Sequence, residues 1–338
     1  MSEVINYKRP AFPVKNFFKK IFKRIGIFNF TVQFRTIFRS YMWPAERFLF
    51  RALRKNKKVC VIQVMGPNLG LFADFARILA GIAYADRRNM LPVADMKTFN
   101  NLYLYDDEVG VKNSWEYYFT QPSGISVDEA FSMKNFMTID SVLCPNPRQR
   151  VQFFYNKYGQ LDYWRNICKE YINFTPEVLA RLEAMKTAHQ GKRILGVLVR
   201  GTDYAASRPK GHPIPPTAEQ AIEKVQEVMK SENFDSVYLA TEDKIILEKF
   251  QAAFNDRLIL PEAEYINYDY SKGNWLANYE SNRQNDKYLR GLEYLVSMLF
   301  LAKCCKGFIT CITSGSTGVM CLSEGFDYLY VFDLGLYP

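Results

Sequence analysis

Short apolar runs alternate with helical patterns along most of this chain. Apolar runs of strand length lie at residues 58–64, 194–199, 237–240, 258–260 and 308–312. Apolar side chains recur at helical spacing in residues 72–89, 175–191, 218–230, 244–254 and 289–303. Thr217, with Gln220 three residues later, predicts a capping box at the start of one of these helices. Strands that alternate with helices predict an α/β fold with a doubly wound parallel sheet.

The pattern divides the chain into a leader and two larger segments. A chain of 338 residues is long enough for two domains of ordinary size. We predict a leader over residues 1–58, an N-terminal α/β domain over 59–180 and a C-terminal α/β domain over 190–338. The helix predicted at 175–191 ends in glycine and would connect the two domains.

Two stretches of the N-terminal domain have more than one interpretation. Residues 65–71, MGPNLGL, follow the first strand but lack the Gly-Lys-Ser/Thr ending of a P-loop and the G-x-G-x-x-G order of a dinucleotide site. We therefore expect these glycines to serve the turn. Residues 100–175 are rich in aromatic and polar residues, which suits a sugar-binding surface and suits an ordinary core equally well. We expect most of the aromatic side chains to lie in the core.

Positive charge is concentrated in the leader. Residues 1–58 hold fifteen Lys or Arg against two acidic residues, and the whole-chain charge of +9 less this +13 leaves −4 for the remainder. Residues 17–25, FFKKIFKRI, place apolar side chains every four residues among four cations. Residues 15–25 therefore predict a helix at an anionic membrane surface, and a terminal helix packed on its own domain is the alternative. Nucleic acid is not expected as a partner, because nothing downstream resembles a base-reading module.

The composition also bears on location and cofactors. No run of eighteen apolar residues occurs, and the N-terminus does not lead from a short basic region into an apolar run. Seven cysteines without a C-x-x-C pair predict buried free thiols in a reducing compartment, and two histidines make a histidine-built metal centre unexpected. We expect a cytoplasmic protein that lies peripherally on the inner face of the cell membrane.

The segment 196–213, GVLVRGTDYAASRPKGHP, carries the most informative chemistry. Arg200 follows four apolar residues, so its guanidinium is expected at the carboxyl edge of a parallel sheet, where open α/β folds bind ligands. A guanidinium can bind phosphate oxygens in a bidentate manner. A surface ion pair between Arg200 and Asp203 is the alternative, and Asp203 is expected to orient Arg200 or to hold the loop. His212 opens a proline-rich turn, whose geometry alone could account for that residue.

A second candidate site for an anion lies between a predicted strand and a helix. This stretch, TSGSTG, consists of Thr313, Ser314, Gly315, Ser316, Thr317 and Gly318. Small residues let backbone N–H groups approach a phosphate, hydroxyls add donors, and the helix start supplies positive potential. Helix capping by Ser316 or Thr317 is the alternative use of the hydroxyls, and both uses are compatible.

A carboxylate follows the strand predicted at 237–240. Glu242 could accept two N–H donors from one edge of guanine, which would select a guanine nucleotide. The neighbouring Asp243 is expected to cap the helix that follows.

These motifs resemble one family of enzymes. The spacing R-x-x-D at Arg200 and Asp203, followed nine residues later by His212-Pro213, together with VYLATED at 237–243, resembles the GDP-fucose-dependent fucosyltransferase superfamily and its α1,6 branch most closely. The resemblance covers about residues 59–335. It implies a GT-B-like fold with two Rossmann-like domains and the nucleotide-sugar site in the C-terminal one. It further implies that Arg200 and Asp203 are catalytic and that the donor is bound by Arg200, His212, Glu242, Thr313, Ser314, Gly315, Ser316 and Thr317.

The chain departs from the α1,6 pattern at three positions. Gly201 stands in place of a second arginine, Leu198 in place of a histidine, and Arg208 in place of the glutamate that is the proposed base of those enzymes. Arg208 or Lys210 could replace the lost cation, and the base cannot be carried over. No D-x-D triplet occurs, so a reaction without metal or other cofactor is expected.

The resemblance therefore implies an inverting, metal-independent transfer of fucose from GDP-fucose to a glycan hydroxyl. The acceptor is expected to be a bacterial surface-polysaccharide precursor presented on a lipid. Two alternatives stay open: the same fold with another GDP-sugar donor, and a catalytically silent protein that binds a glycan or a nucleotide.

Overall fold

The computed structural model describes residues 58–66, 69–140, 147, 150–200, 206–267, 279 and 281–338. The leader, including its predicted membrane helix, lies outside the described residues. Residues Lys57–Pro338 form one compact unit. The two domain boundaries predicted within that unit stay predictions.

The first part of the unit contains a three-stranded parallel sheet. Its strands are β1 (Val59–Gln63), β2 (Leu91–Asp95) and β3 (Phe136–Asp140), in the order β2-β1-β3. Four of the five residues of β1 are buried, as the apolar run at 58–64 predicted. The helices that follow in this part of the chain are α1 (Leu71–Arg87), α2 (Val127–Ser132), α3 (Val151–Phe154), α4 (Gln160–Tyr171) and α5 (Pro176–Ala188).

A five-stranded parallel sheet forms the second part. Its strands are β4 (Ile194–Leu198), β5 (Ser236–Ala240), β6 (Leu258–Ile259), β7 (Gly307–Cys311) and β8 (Tyr328–Phe332), in the order β6-β5-β4-β7-β8. Its helices are α6 (Ala218–Ser231), α7 (Lys244–Phe254), α8 (Asp286–Cys304) and α9 (Ser314–Leu322). The two parallel sheets, one in each half, confirm the predicted α/β fold class and its GT-B-like arrangement.

Local sequence signals account for several helix ends. The Thr217 side chain accepts a hydrogen bond from the Gln220 amide at 3.2 Å, and the Thr217 amide donates to the Gln220 side chain at 2.9 Å, which completes the predicted capping box of α6. Helix α5 begins at Pro176 after Thr175, where the missing N–H of proline costs nothing.

One hydrophobic cluster joins residues from both sheets. It includes Trp115, Tyr118, Phe119, Phe153 and Phe154, all 3% exposed or less. The core interpretation is therefore correct for these aromatic residues of the stretch 100–175. Among the described cysteines all six are free thiols, and only Cys304 is not fully buried. None of the described helices combines the length and the apolar character that crossing a bilayer requires.

Candidate functional site

Arg200 lies where β4 ends, between the ends of two neighbouring strands. Leu198 pairs with Ala240 of β5, Val197 pairs with Ile309 of β7, and the Val199 amide donates to the Ala240 carbonyl at 3.2 Å. Because all three strands are parallel, their carboxyl ends meet at one edge of the sheet. Arg200 is partly buried and its Nε is enclosed, so its guanidinium belongs to this edge and not to open solvent.

The pairing of β4 with β7 also brings the charge of Arg200 near Cys311. Burial raises the pKa of the Cys311 thiol to about 12, and the positive charge of Arg200 opposes this rise. Cys311 is the last residue of β7 and stands two residues before Thr313. The Arg200 guanidinium and the start of α9 therefore share one end of β7.

The hydroxyls of the TSGSTG stretch have distinct roles. Thr313 is the N-cap of α9, since its Oγ1 accepts from the Ser316 amide at 3.0 Å. The Ser316 hydroxyl is buried and its one proton lies within reach of the Cys311 and Thr313 carbonyls, at 2.8 and 2.9 Å, while the Thr317 hydroxyl donates to the Thr313 carbonyl at 2.9 Å. Thr313 is therefore the N-cap, and Ser316 completes the capping box by accepting from the Thr313 amide at 2.8 Å, so the capping role expected for Ser316 or Thr317 belongs in part to Ser316 and not to Thr317. Thr313 and Ser314 are the partly exposed members of the stretch.

The glycines of α9 are required by packing. A Cβ placed on Gly315 would lie 2.4 Å from the Tyr294 hydroxyl, and one on Gly318 would lie 1.9 Å from the Phe72 ring. Tyr294 is on α8 and Phe72 is in the first turn of α1, and their rings meet edge to face at 5.5 Å. The start of α9 is therefore supported from behind by helices of both halves. The amides of Ser314 and Gly315 in its first turn, which have no carbonyl acceptor within the helix, lie at the sheet edge.

The turn after β5, which carries Glu242 and Asp243, is held by backbone hydrogen bonds to Ile266. The Glu242 carbonyl accepts from the Ile266 amide at 2.9 Å, and the Lys244 amide donates to the Ile266 carbonyl at 3.1 Å. Asp243 Oδ1 accepts from the amides of Ile245 and Ile246 at 2.7 and 3.3 Å, so Asp243 caps α7 as expected. Glu242 itself is half-buried at the end of β5, the strand beside Arg200.

The remaining predicted residues fall in the loop that follows β4. Arg208, Lys210 and His212 are exposed, and Arg208 adopts a positive φ of 45°. Asp203 and Gly201 lie outside the described residues. The structure thus brings Arg200, Glu242 and the start of α9 to one sheet edge, with the His212 loop leaving from the same strand.

This edge can bind an anion through its own residues. A guanidinium, the positive end of α9 and hydroxyls of the capping stretch lie at this edge, and such groups bind phosphate oxygens. No group of His, Cys, Asp and Glu side chains in the described ranges could hold a metal ion. The metal-free reaction stays a prediction.

The sequence did not single out a buried polar cluster behind α9. Asp74 of α1 is fully buried, and neither of its carboxylate oxygens has a hydrogen-bond partner among the described residues. Burial, and then the charges of Asp74 and Tyr294, raise the pKa of Tyr103, so the three side chains are neighbours. The sequence position of Asp74 could have predicted its burial, because it lies three residues after Leu71 and four before Ile78, within the apolar face of α1.

Comparisons with known proteins concern the overall fold. No protein-family model and no curated protein matches the chain. Among solved structures, the fucosyltransferase NodZ from Bradyrhizobium is 18% identical over 82% of this chain and 96% of its own, with a TM-score of 0.49. NodZ alpha-1,6-fucosyltransferase soaked with GDP-fucose is 16% identical over the same shares, with a TM-score of 0.46.

A further similar structure is POFUT1 in complex with GDP. It is 12% identical over 82% of this chain and 99% of its own, with a TM-score of 0.46. The NodZ structures belong to the enzyme class whose motifs the sequence resembles. Identities this low leave the chemistry of the site to be derived from its own residues.

Proposed function

We propose that this protein is a glycosyltransferase that moves fucose from GDP-fucose to a hydroxyl of a glycan. The observation that carries the proposal is the juxtaposition of Arg200 with the start of α9 at the end of β7. In sugar transfer from a nucleotide, negative charge develops on the departing diphosphate. A guanidinium fork and an oriented helix start are the groups that stabilise such charge without having to reorganise.

Each part of the edge has a role in this proposal. Arg200 would bind the diphosphate oxygens, and the amides of Ser314 and Gly315 with the Ser314 side chain would bind them from the other side, while Thr313, bonded to Ser316, would hold the helix start in place. Glu242 would accept hydrogen bonds from guanine. The positive charge that a divalent cation supplies in other transferases would come here from Arg200 and the α9 dipole. We propose inversion at the anomeric carbon, with the acceptor hydroxyl attacking opposite the diphosphate.

The direct test is GDP affinity of wild type and of Arg200→Ala, measured by calorimetric titration. Hydrogen bonds to charged groups are worth about 1.5–3 kcal/mol each, so the variant should bind GDP at least about tenfold more weakly. Arg193→Ala is the matched control, because Arg193 precedes the opposite end of the same strand and pairs there with Asp327 at 3.3 Å. Equal GDP affinities of wild type and Arg200→Ala would remove the basis of the proposal.

The donor sugar and catalysis need a separate measurement. Hydrolysis of GDP-fucose should exceed hydrolysis of GDP-mannose in the absence of acceptor, and a preference for mannose would favour another GDP-sugar as donor. A silent binding protein is the second candidate, because Arg208 stands where the α1,6 enzymes have their proposed base. Tight GDP binding without turnover of any GDP-sugar would favour that candidate.

The proposal also covers the acceptor and the location of the protein in the cell. We propose a lipid-linked precursor of a bacterial surface polysaccharide, reached from the inner face of the membrane. Support comes from the leader, whose net charge of +13 accompanies the FFKKIFKRI pattern. Replacing Lys19, Lys20, Lys23 and Arg24 with Gln in the full chain should abolish sedimentation with anionic vesicles. Unchanged sedimentation would contradict the membrane role.

A further inference from the structure

The end of the chain pairs with the loop that carries His212. The Gly211 amide donates to the Tyr337 carbonyl at 2.9 Å, and the Tyr337 amide donates to the His212 carbonyl at 2.9 Å. The Ile214 amide donates to the Gly335 carbonyl at 3.0 Å. Residues 211–214 and 335–337 therefore form a short antiparallel ribbon, called here the terminal ribbon.

The topology places the terminal ribbon at the edge that holds the candidate site. Residues 211–214 belong to the connection that leaves β4, and residues 335–337 follow the end of β8. In the sheet, β7 lies between β4 and β8 and is parallel to both. The terminal ribbon thus links the two strands that flank β7, at the end where α9 begins.

The described part of this loop lies mostly at the surface. The side chains at 206–208 and 210–212 are exposed, and the next buried position is Pro216, just before α6. Two glycines shape the terminal ribbon, because Gly211 has a φ of +75° and Gly335 a φ of +88°. Three backbone hydrogen bonds to residues 335–337 therefore restrain a loop that carries two cations and a histidine.

We propose that the terminal ribbon is a positioning device for the donor, which holds Arg208, Lys210 and His212 beside the diphosphate site before the donor arrives. This inference rests on the proposed function. A loop ordered in advance costs less on binding, because the entropy of ordering has already been lost. Loss of the terminal ribbon should therefore weaken donor binding and raise KM for GDP-fucose while leaving kcat largely unchanged.

The test compares two substitutions at one position in the full chain. Tyr337→Pro removes the amide that donates to His212, whereas Tyr337→Ala keeps that amide and removes the same side chain. Trypsin provides a readout of the loop that does not depend on activity. Lys210–Gly211 is a cleavable bond at the start of the terminal ribbon, and Arg208–Pro209 is resistant because proline follows.

For Tyr337→Pro, we expect about fivefold faster cleavage at Lys210–Gly211 and about fivefold weaker GDP binding, the effect of one hydrogen bond of ordinary strength. Tyr337→Ala should match wild type in both measurements. Gly335→Ala is a second variant should Tyr337→Pro fold poorly. Its Cβ would meet nothing within 4 Å, so it acts only through the strained φ.

Three results would overturn the inference, and they are distinguishable. Equal cleavage of the Pro and Ala variants would mean that the hydrogen bond does not hold the loop. Faster cleavage with unchanged GDP affinity would mean that the loop is held but does not position the donor. Absence of GDP binding in wild type would reject the proposed function itself, and with it the donor-positioning role, while proteolysis would still report on the loop.

Discussion

Asp74 allows a stability prediction that can be worked from the structure. The carboxyl is 0% exposed, and neither oxygen has a hydrogen-bond partner in the described part of the chain. Burial raises its pKa from the ordinary 3.8 to about 8, although the nearby Arg77 lowers it somewhat. Asp74 is therefore protonated in the folded protein at neutral pH. The perturbation is Asp74→Asn, which keeps the shape and removes the titration.

The sign and size follow from linkage. Above about pH 4 the unfolded chain has lost this proton, whereas the folded chain retains it up to about pH 8. The contribution of protonated Asp74 to the free energy of unfolding is fully present below the unfolded pKa and is lost as the pH rises through the folded pKa. At about 1.4 kcal/mol per pKa unit, Asp74 costs the folded state about 6 kcal/mol once the pH exceeds 8. Between pH 5 and pH 8 the wild type should lose about 4 kcal/mol through Asp74, and Asp74→Asn should lose none of it.

The assay is urea denaturation of wild type and Asp74→Asn at pH 5, 6, 7 and 8. The difference in unfolding free energy should shift in favour of the variant by about 4 kcal/mol across this range. The constant cost of burying an amide cancels in the shift. Ile78→Val on the same helix is the control, because Ile78 is buried and has no titratable group, so its difference should stay constant with pH. A pH-independent difference for Asp74→Asn would refute the assignment of a buried, protonated carboxyl.

Two further predictions concern packing and capping. Gly318→Ala should destabilise the fold by about 1–3 kcal/mol, because its Cβ would lie 1.9 Å from Phe72. Gly70→Ala meets nothing within 4 Å and should lose less in the same urea assay, only through the poorer N-cap that alanine makes for α1. Thr217→Ala should cost about 1 kcal/mol through loss of the α6 cap, and Thr217→Ser should restore most of it. Equal stability of the Ala and Ser variants would contradict the capping role.

The strands that the sequence predicted and the strands that it missed differ in their place in the sheets. Strands β1, β4, β5 and β7 are central, are paired on both sides, and read as continuous apolar runs. Strands β2, β3 and β8 lie at sheet edges and were not predicted. Strand β2 contains Pro92, whose missing N–H an edge tolerates, and β3 and β8 are partly exposed. Apolar runs therefore predict the four central strands and the short edge strand β6, and they miss the other three edge strands.

In the candidate site, too, the features that the sequence predicted are local and the features that it missed are not. Arg200, Glu242 and Thr313 each follow a central strand directly, so local sequence suffices to place them at the sheet edge. Packing behind α9 depends instead on α1 and α8, and the terminal ribbon joins residues far apart in the chain. No local pattern encodes such contacts.

The groups that face the ligand edge and the groups that support it therefore respond to different changes. Substituting Arg200 should alter donor affinity with little effect on the fold, because this side chain ends a strand and is only partly buried. Substituting Gly318 should alter the fold first, since Phe72 of the other half fills the space beside it. Donor binding is then coupled to the packing of both halves through α9, because the helix whose first turn would bind the diphosphate also carries the glycine on which Phe72 packs.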